Sequence, residues 1–462
     1  MAAWTSGSGS KSLRIMTTTR RFHIITYGCQ MNEHDSERMA GLLSADGFTW
    51  TESPENADLV IINSCTIRSK AEEKAFSEAG RLKGLKKHNP NLRIGLCGCV
   101  AQREREHILG RAPHIDLVFG TLNIPHLPIL VKRLDEEGGR ICEVADEPVD
   151  TGPCNPCRAL RAHSVKAWIT IMEGCNNFCS YCVVPYVRGR ERSRSPEDIE
   201  REVVSLVQAG YKEVTLLGQN VNSYGMGLTL RFSFPDLLCR LNEIPGLERI
   251  RFTTSHPKDL SCDLVHAMKT CEKVCEHIHL PLQAGSDNVL KRMGRGYTVE
   301  EYLAKIDALR EAMPEIAITG DMICGFPGET EGDFERTLAI VERIRFDGLF
   351  SFKYSARPQT SASRLSDHLP EEIKLSRLKQ LQTLQNRICG EINAMMVGSH
   401  LPILVEGPSK KDPAKLTGRT RTNKVVNVPG PTALIGSTVT VRIARAKPFD
   451  LEGERIVQKC PF

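Results

Sequence analysis

No apolar run in this chain of 462 residues approaches the ~18 residues that cross a bilayer, the longest lying at 58–62 and 214–217. A membrane-spanning protein is not expected. The start of the chain lacks an apolar signal-peptide core, so its 17 cysteines are read in a reducing, cytoplasmic setting. There cysteine more often binds metal or catalyses than forms bridges. Net charge is also small, 61 basic against 56 acidic residues, and says little about partners until it is divided. Residues 398–462 hold 11 Lys and Arg against 5 Asp and Glu, which is +6, leaving about −1 for the other 397 residues. The length and an apolar content of 40% fit two to four domains of ~100–200 residues and exclude a small disulfide-stapled scaffold.

The basic end suggests a polyanionic partner. Short alternating runs at 401–405, 425–428 and 438–443, separated by Gly and Pro, predict a small all-β barrel over 398–462, a platform often used for nucleic acid. A basic solvated surface without a ligand is the alternative. Residues 1–32 carry four Lys and Arg and no acid. A disordered extension and an organelle transit peptide both fit, and the missing amphipathic pattern favours the first.

From residue 22 a β-rich run, a cysteine and a helix-like stretch recur three times. The runs at 22–27, 58–63 and 92–96 precede Cys29, Cys65 and Cys99. Successive βα units predict a parallel sheet over 20–140, with sites beyond the carboxyl ends of its strands. The three cysteines then share one edge, where three thiolates could hold three irons of a cubane and leave the fourth open. Three buried core thiols are the alternative, and position alone does not choose between Cys97 and Cys99.

After a linker (141–164) carrying Cys154 and Cys157, read as free thiols, comes the strongest signal. Cys175, Cys179 and Cys182 form a CxxxCxxC loop after a strand-like run at 168–172. Zinc sites prefer paired CxxC or Cys/His sets, and no second pair follows. Strand-like runs recur at 213–217, 249–254, 277–282, 316–323 and 349–354, with amphipathic helices between them. One of these helices places Phe334, Leu338, Val341 and Ile344 on one face. Six βα units over 165–397 predict an open partial barrel, short of the eight that close one. Cys271 and Cys275 are expected to pack.

The loop resembles the radical S-adenosylmethionine (SAM) superfamily, whose SAM amine and carboxylate chelate the open iron. One electron then gives a 5′-deoxyadenosyl radical. Tyr181 matches the aromatic position near the SAM adenine. Over nearly the whole chain, TYGCQMN (26–32), NSCTIRSKAEEKAF (63–76) and GCVAQR (98–103) resemble the auxiliary-cluster motifs of the methylthiotransferases, which selects Cys99 over Cys97. VVPYVRGRERSR (183–194), GQNVNSYG (218–225), HLPLQAGSD (279–287) and GFPGET (325–330) resemble the MiaB-type branch acting on adenosine at tRNA position 37. The terminal domain looks like a TRAM module. In SARPQTSAS (355–363) the usual Gly and Pro are replaced by Gln359 and Ser361.

The resemblance implies methylthiolation of C2 of N6-isopentenyladenosine by an α/β enzyme with two [4Fe–4S] clusters, one on Cys175, Cys179 and Cys182, the other on Cys29, Cys65 and Cys99. One SAM would methylate a sulfur on the second cluster and another would supply the radical. Gln219, Asn220, Gln283 and Asp321, at or beyond expected strand ends, are candidate SAM or base contacts. Arg188, Arg190, Arg192 and Arg194 are candidates to line the RNA backbone, as are Arg419, Arg421 and Lys424 in the terminal domain. The implied partners are the tRNA anticodon loop, a flavodoxin- or ferredoxin-like electron donor and a sulfur donor, with the chain a cytoplasmic monomer. A target of threonylcarbamoyl-adenosine or a ribosomal protein, or a non-catalytic iron–sulfur RNA-binding protein, are the alternatives.

Overall fold

The computed structural model describes residues 19–66, 69–147, 159–161, 163–229 and 231–456. Cys154, Cys157 and Cys460 lie outside them, as does most of the N-terminal extension. Strands β1 (Arg21–Tyr27), β2 (Thr49–Trp50), β3 (Leu59–Ser64), β4 (Arg93–Cys97), β5 (Leu117–Phe119) and β6 (Ile141–Glu143) form one sheet in the order β2-β1-β3-β4-β5-β6. All its pairings are parallel. β3 is central and buried throughout. Leu59 and Ile61 pack with Met39 and Leu43 on one face, Val60 and Ile62 with Ala75 and Leu82 on the other, so the strand reads as continuous rather than alternating apolar sequence. Because β6 pairs with β5, the sheet runs to Glu143, past the boundary expected at 140.

The second unit contains β7 (Lys166–Thr170), β8 (Met172–Glu173), β9 (Arg192–Ser193), β10 (Glu213–Leu217), β11 (Arg249–Phe252), β12 (His277–His279), β13 (Ala317–Cys324) and β14 (Gly348–Lys353). Two parallel three-stranded sheets, β11-β10-β7 and β12-β13-β14, are joined by a bridge between Ile250 and Val274. Six strands thus make the open barrel. Its helices bury the stripes that the sequence pattern gives them. Helix Pro196–Gln208, capped by Ser195, buries Ile199, Val203 and Leu206. Helix Glu331–Ile344, with a capping box from Thr330 and Asp333, buries Phe334, Val341 and Ile344, while Leu338 is partly buried.

At the end of the chain β15 (His400–Pro408), β16 (Lys415–Arg419), β17 (Val425–Pro429), β18 (Thr438–Ala446) and β19 (Leu451–Arg455) close a five-stranded barrel around Ile403, Val405, Val426, Val441 and Ile443. It docks on residues that open the strands of the central unit. Lys166, the first residue of β7, meets Glu406 at 2.7 Å. Arg249 and Arg251 of β11 donate to the carbonyls of Arg419, Thr420 and Arg421 at 2.7–2.8 Å. The small barrel therefore sits at the amino ends of the strands, and the cysteine loops lie at the other end. No helix among the described residues is long and apolar enough to cross a membrane.

Candidate functional site

Each N-terminal cysteine sits in the loop or first helical turn just beyond a strand of the first sheet. Cys29 is the N-cap of helix Gln30–Ala45, Cys65 comes directly after β3, and Cys99 opens helix Cys99–Glu104. A buried asparagine pair ties the loops together. Asn32 Nδ2 donates to Asn63 Oδ1 at 3.1 Å, and Asn63 Nδ2 returns a bond to the Asn32 carbonyl at 2.8 Å. The Cys29 amide donates to Asn32 Oδ1 at 3.3 Å. Gly98 has φ +89°, and a Cβ there would lie 2.4 Å from Asn63 Oδ1, so only glycine lets the third loop approach. The Cys29 thiol is brought down to about 6, first by its hydrogen bond with Cys65 and, against the cost of burial, by the nearby Arg188 charge. Cys97 instead packs in the core, its Sγ 3.7 Å from Met39 Sδ.

The CxxxCxxC loop is bracketed by the antiparallel pair β8 and β9. Gly174, before Cys175, has φ +78° and would place a Cβ 2.0 Å from the Arg190 carbonyl. The loop is pinned by Ser180, whose amide donates to the Met293 carbonyl at 2.9 Å. Burial raises the Cys175 thiol and pushes the Cys182 thiol up to about 12. One buried cation answers them: Arg295 Nη1 lies 3.5 Å from Cys179 Sγ and 3.4 Å from the Tyr181 hydroxyl. Nothing in the sequence reading marks Arg295, which lies between Gly294 and Gly296.

Among the described residues no three His, Cys, Asp or Glu converge on a single-ion site. A cubane needs no such point, because each thiolate takes a separate iron. Two sets of three thiols, each with a buried guanidinium beside it and glycines where a side chain would collide, fit such clusters.

The two sets are neighbours through helix Val184–Arg188, which starts two residues after Cys182. Val183 and Val187 pack on Cys99, and the nearby Arg188 charge works against the burial that raises the Cys99 thiol. The sequence pattern puts Arg188 on an extended segment lining RNA. It is instead helical, 6% exposed and paired with the 1% exposed Asp35 at 2.7 Å. Breaking this buried pair leaves the Asp35 carboxylate only its longer contact with Arg38, at 3.8 Å. Arg188→Met should cost the apoprotein about 3–5 kcal/mol in urea unfolding, and a loss below about 1 kcal/mol would contradict the pairing.

The other expected contacts divide. Gln219 Oε1 and Gln283 Oε1 are buried without a hydrogen-bond partner among the described residues, as are both amide atoms of Asn222, Ser255 Oγ and His256 Nε2. Gln283 is held at φ +77°, a conformation that costs a non-glycine residue ~1–2 kcal/mol. Burial, then the Arg295 charge, keeps His256 neutral, at about 2. This ring of open polar atoms lies beyond β10, β11 and β12, at the cysteine end. Asp321 faces His279 Nε2 at 3.5 Å. The Asn220 amide is engaged within the fold: Nδ2 donates to Asp259 at 2.7 Å and Oδ1 accepts from the His256 amide at 3.1 Å. It ties loops together, and one amide hydrogen and one oxygen lone pair remain.

The RNA set is revised too. Arg194 turns inward to Glu202 at 2.9 Å. In the terminal barrel Arg421 pairs with Glu276 at 2.7 Å, Lys424 with Asp347 at 2.8 Å and Arg419 with Glu406 at 3.3 Å. Their charge is spent on docking the barrel and on pairing within it. Arg190 and Arg192 remain exposed, and Arg190 lies 4.6 Å above the Phe178 ring. Phe178 and Tyr186, 40% and 47% exposed, meet edge to face at 6.1 Å. Gln359 adopts φ +74°, a conformation that favours glycine.

A CxxxCxxC loop at the carboxyl ends of an open six-stranded barrel, with a second cysteine set beside it, defines a radical SAM enzyme with an auxiliary cysteine site. Family models agree: Uncharacterized protein family UPF0004 matches residues 21–120, the Radical SAM superfamily 169–341 and the TRAM domain 394–456. The chain is 50% identical over 436 residues to the tRNA-2-methylthio-N(6)-dimethylallyladenosine synthase of Carboxydothermus hydrogenoformans, covering 94% of this chain and 99% of the relative. It is 49% identical over 439 residues to that of Clostridium botulinum, covering 95% and 96%. A radical S-adenosylmethionine methyltransferase, TsrM, from Kitasatospora setae shares the fold with TM-score 0.56 at 14% identity, over 74% of this chain and 75% of that one. The chain belongs to the tRNA-2-methylthio-N(6)-dimethylallyladenosine synthase family of radical SAM methylthiotransferases.

Proposed function

We propose that the chain replaces the C2 hydrogen of N6-isopentenyladenosine in the tRNA anticodon loop with a methylthio group, using one [4Fe–4S] cluster on Cys175, Cys179 and Cys182 and another on Cys29, Cys65 and Cys99. The observation that carries this is the juxtaposition of the two cysteine sets across helix Val184–Arg188. The adenine C2–H bond is neither acidic nor electrophilic enough for acid–base chemistry. When bound, the first cluster with SAM supplies a carbon radical that takes the hydrogen atom, and the second supplies sulfur.

The chain's own residues orient and shield this chemistry. Arg295 sets a fixed positive charge beside Cys179, and Arg188 does the same beside Cys29 and Cys99. The open atoms of Gln219, Asn222, Ser255 and Gln283 offer hydrogen bonds to SAM or to the adenine edge. Phe178, Tyr186 and Arg190 offer stacking faces to unpaired loop bases next to the cluster loop, a contact worth ~1–3 kcal/mol per base. The electron and sulfur donors act from outside the chain.

Mass spectrometry of tRNA nucleosides from a strain lacking the protein should show the methylthio nucleoside absent and N6-isopentenyladenosine accumulated. An unchanged profile would contradict the reading.

A further inference from the structure

A cavity of ≈ 520 Å³ lies on the outer edge of the open barrel, where β14, helix Glu371–Ala394 and the terminal barrel meet. This is within the roughly 300–1,000 Å³ of small-molecule sites. Thr319 of β13 lines it, and Cys324 ends that strand five residues on. The lining runs along β14 from Gly348 to Ser351 and includes none of the cysteine-loop residues. It is therefore separate from the cysteine sites.

Its lining is built for a ligand. Gln385 is 3% exposed and uses its Nε2 to hold the Phe346 carbonyl at 2.7 Å. Asn393, also 3% exposed, uses its Nδ2 to hold the Lys447 and Pro448 carbonyls at 2.7 and 3.1 Å. In both, the amide oxygen is left buried without a hydrogen-bond partner among the described residues. Lys424 Nζ is also buried, 2.8 Å from Asp347 but not aligned for a hydrogen bond. Two acceptors with one cation and its carboxylate suit the edge of a nucleobase better than a bare phosphate, which would need donors only. Flat apolar faces stand at the rim: Phe350 on β14 is 56% exposed, and Phe449, on the turn that Asn393 pins, is 70% exposed. An unstacked base regains on such faces what it loses by leaving its neighbours.

The placement fits an RNA that touches both ends of the molecule. The cysteine sites lie at the carboxyl ends of the strands and the small barrel at the amino ends, so an RNA engaging both must run down a side of the barrel. The cavity opens on β14, which ends its sheet.

We infer that this cavity receives a second, non-target nucleotide of the substrate tRNA, splayed out with its ring on Phe449, its exocyclic amino group drawing out the Gln385 and Asn393 oxygens that are buried in the free chain. The inference rests on the proposed tRNA substrate and names a recognition site which that proposal does not contain. Adenine, cytosine and guanine carry the required amine, and uracil does not.

The test is a double cycle on the reconstituted full-length chain. Anticodon stem-loop RNAs carrying N6-isopentenyladenosine, each with one abasic residue elsewhere, are titrated against the unchanged chain and Phe449→Ala, whose exposed ring has little structural role. At one amine-bearing position the abasic change should weaken binding by the unchanged chain roughly five- to hundredfold. Phe449→Ala should weaken binding of the intact RNA to a similar extent, and the two changes together should weaken it no further than either alone. Equal abasic losses in both proteins at every position would overturn the inference while leaving the tRNA reading intact. No binding of the intact RNA by the unchanged chain would remove both.

Discussion

Replacing Cys175, Cys179 and Cys182 together with Ala should remove about half of the roughly eight irons bound after anaerobic reconstitution, and all cleavage of SAM to 5′-deoxyadenosine. The expected loss of activity is complete because all three thiols of the loop are removed. Burial of Cys182 and Cys175 and the Gly174 turn under the Arg190 carbonyl fix the loop for these donors. The other partners of Arg295 are not metal ligands in such a site: they are the Tyr181 and Tyr297 hydroxyls and the Pro281 carbonyl. Iron and 5′-deoxyadenosine are measured on the same sample. Retention of all the iron, or of SAM cleavage, would place the radical chemistry elsewhere.

The second large effect separates the two sites. Replacing Cys29, Cys65 and Cys99 with Ala should also remove about half the iron and abolish methylthiolated product, while SAM cleavage continues at a reduced rate. The physical reason is the division of labour between neighbouring sets. Cys29, Cys65 and Cys99 are tied to one another through Asn32 and Asn63, whereas the CxxxCxxC loop is anchored on Ser180, Met293 and the Ala362 turn. Loss of the first set therefore leaves the anchors of the second in place. Loss of all SAM cleavage in this variant would show that the sites do not act separately.

How much of the molecule is legible in its sequence depends on the range over which each signal acts. βα alternation and cysteine spacing are local, so the parallel sheet, the six barrel strands and both cysteine sets can be read along the chain. Cys97 and Cys99 cannot be separated by position, because both lie within two residues of a strand end. What separates them in the structure is that Cys97 still belongs to β4 and packs on Met39, while Cys99 lies past the Gly98 turn. Charge misleads where its partner is distant. Arg188 finds Asp35 from another unit of the fold, and Arg421 and Lys424 find Glu276 and Asp347. A run of arginines shows that charge is present and not which way it turns. Asn220 shows the same dependence on distant partners: its position after β10 is legible, its bonds to Asp259 and the His256 amide are not. Arg295 carries no local mark at all, and only its reach to Cys179 and Tyr181 gives it a place in the site.

The subfamily reading turns on one pocket. An apolar five-carbon tail and a charged threonylcarbamoyl tail need opposite surroundings, since burying an unpaired carboxylate costs far more than burying a methylene gains. The most direct measurement is a side-by-side assay of the reconstituted enzyme, with SAM and a reductant, on tRNA bearing N6-isopentenyladenosine and on tRNA bearing the threonylcarbamoyl nucleoside, read by nucleoside mass spectrometry. Methylthiolation of the isopentenyl tRNA is expected, with little or none of the other. Comparable turnover on the threonylcarbamoyl tRNA, or none on the isopentenyl tRNA, would contradict the subfamily reading.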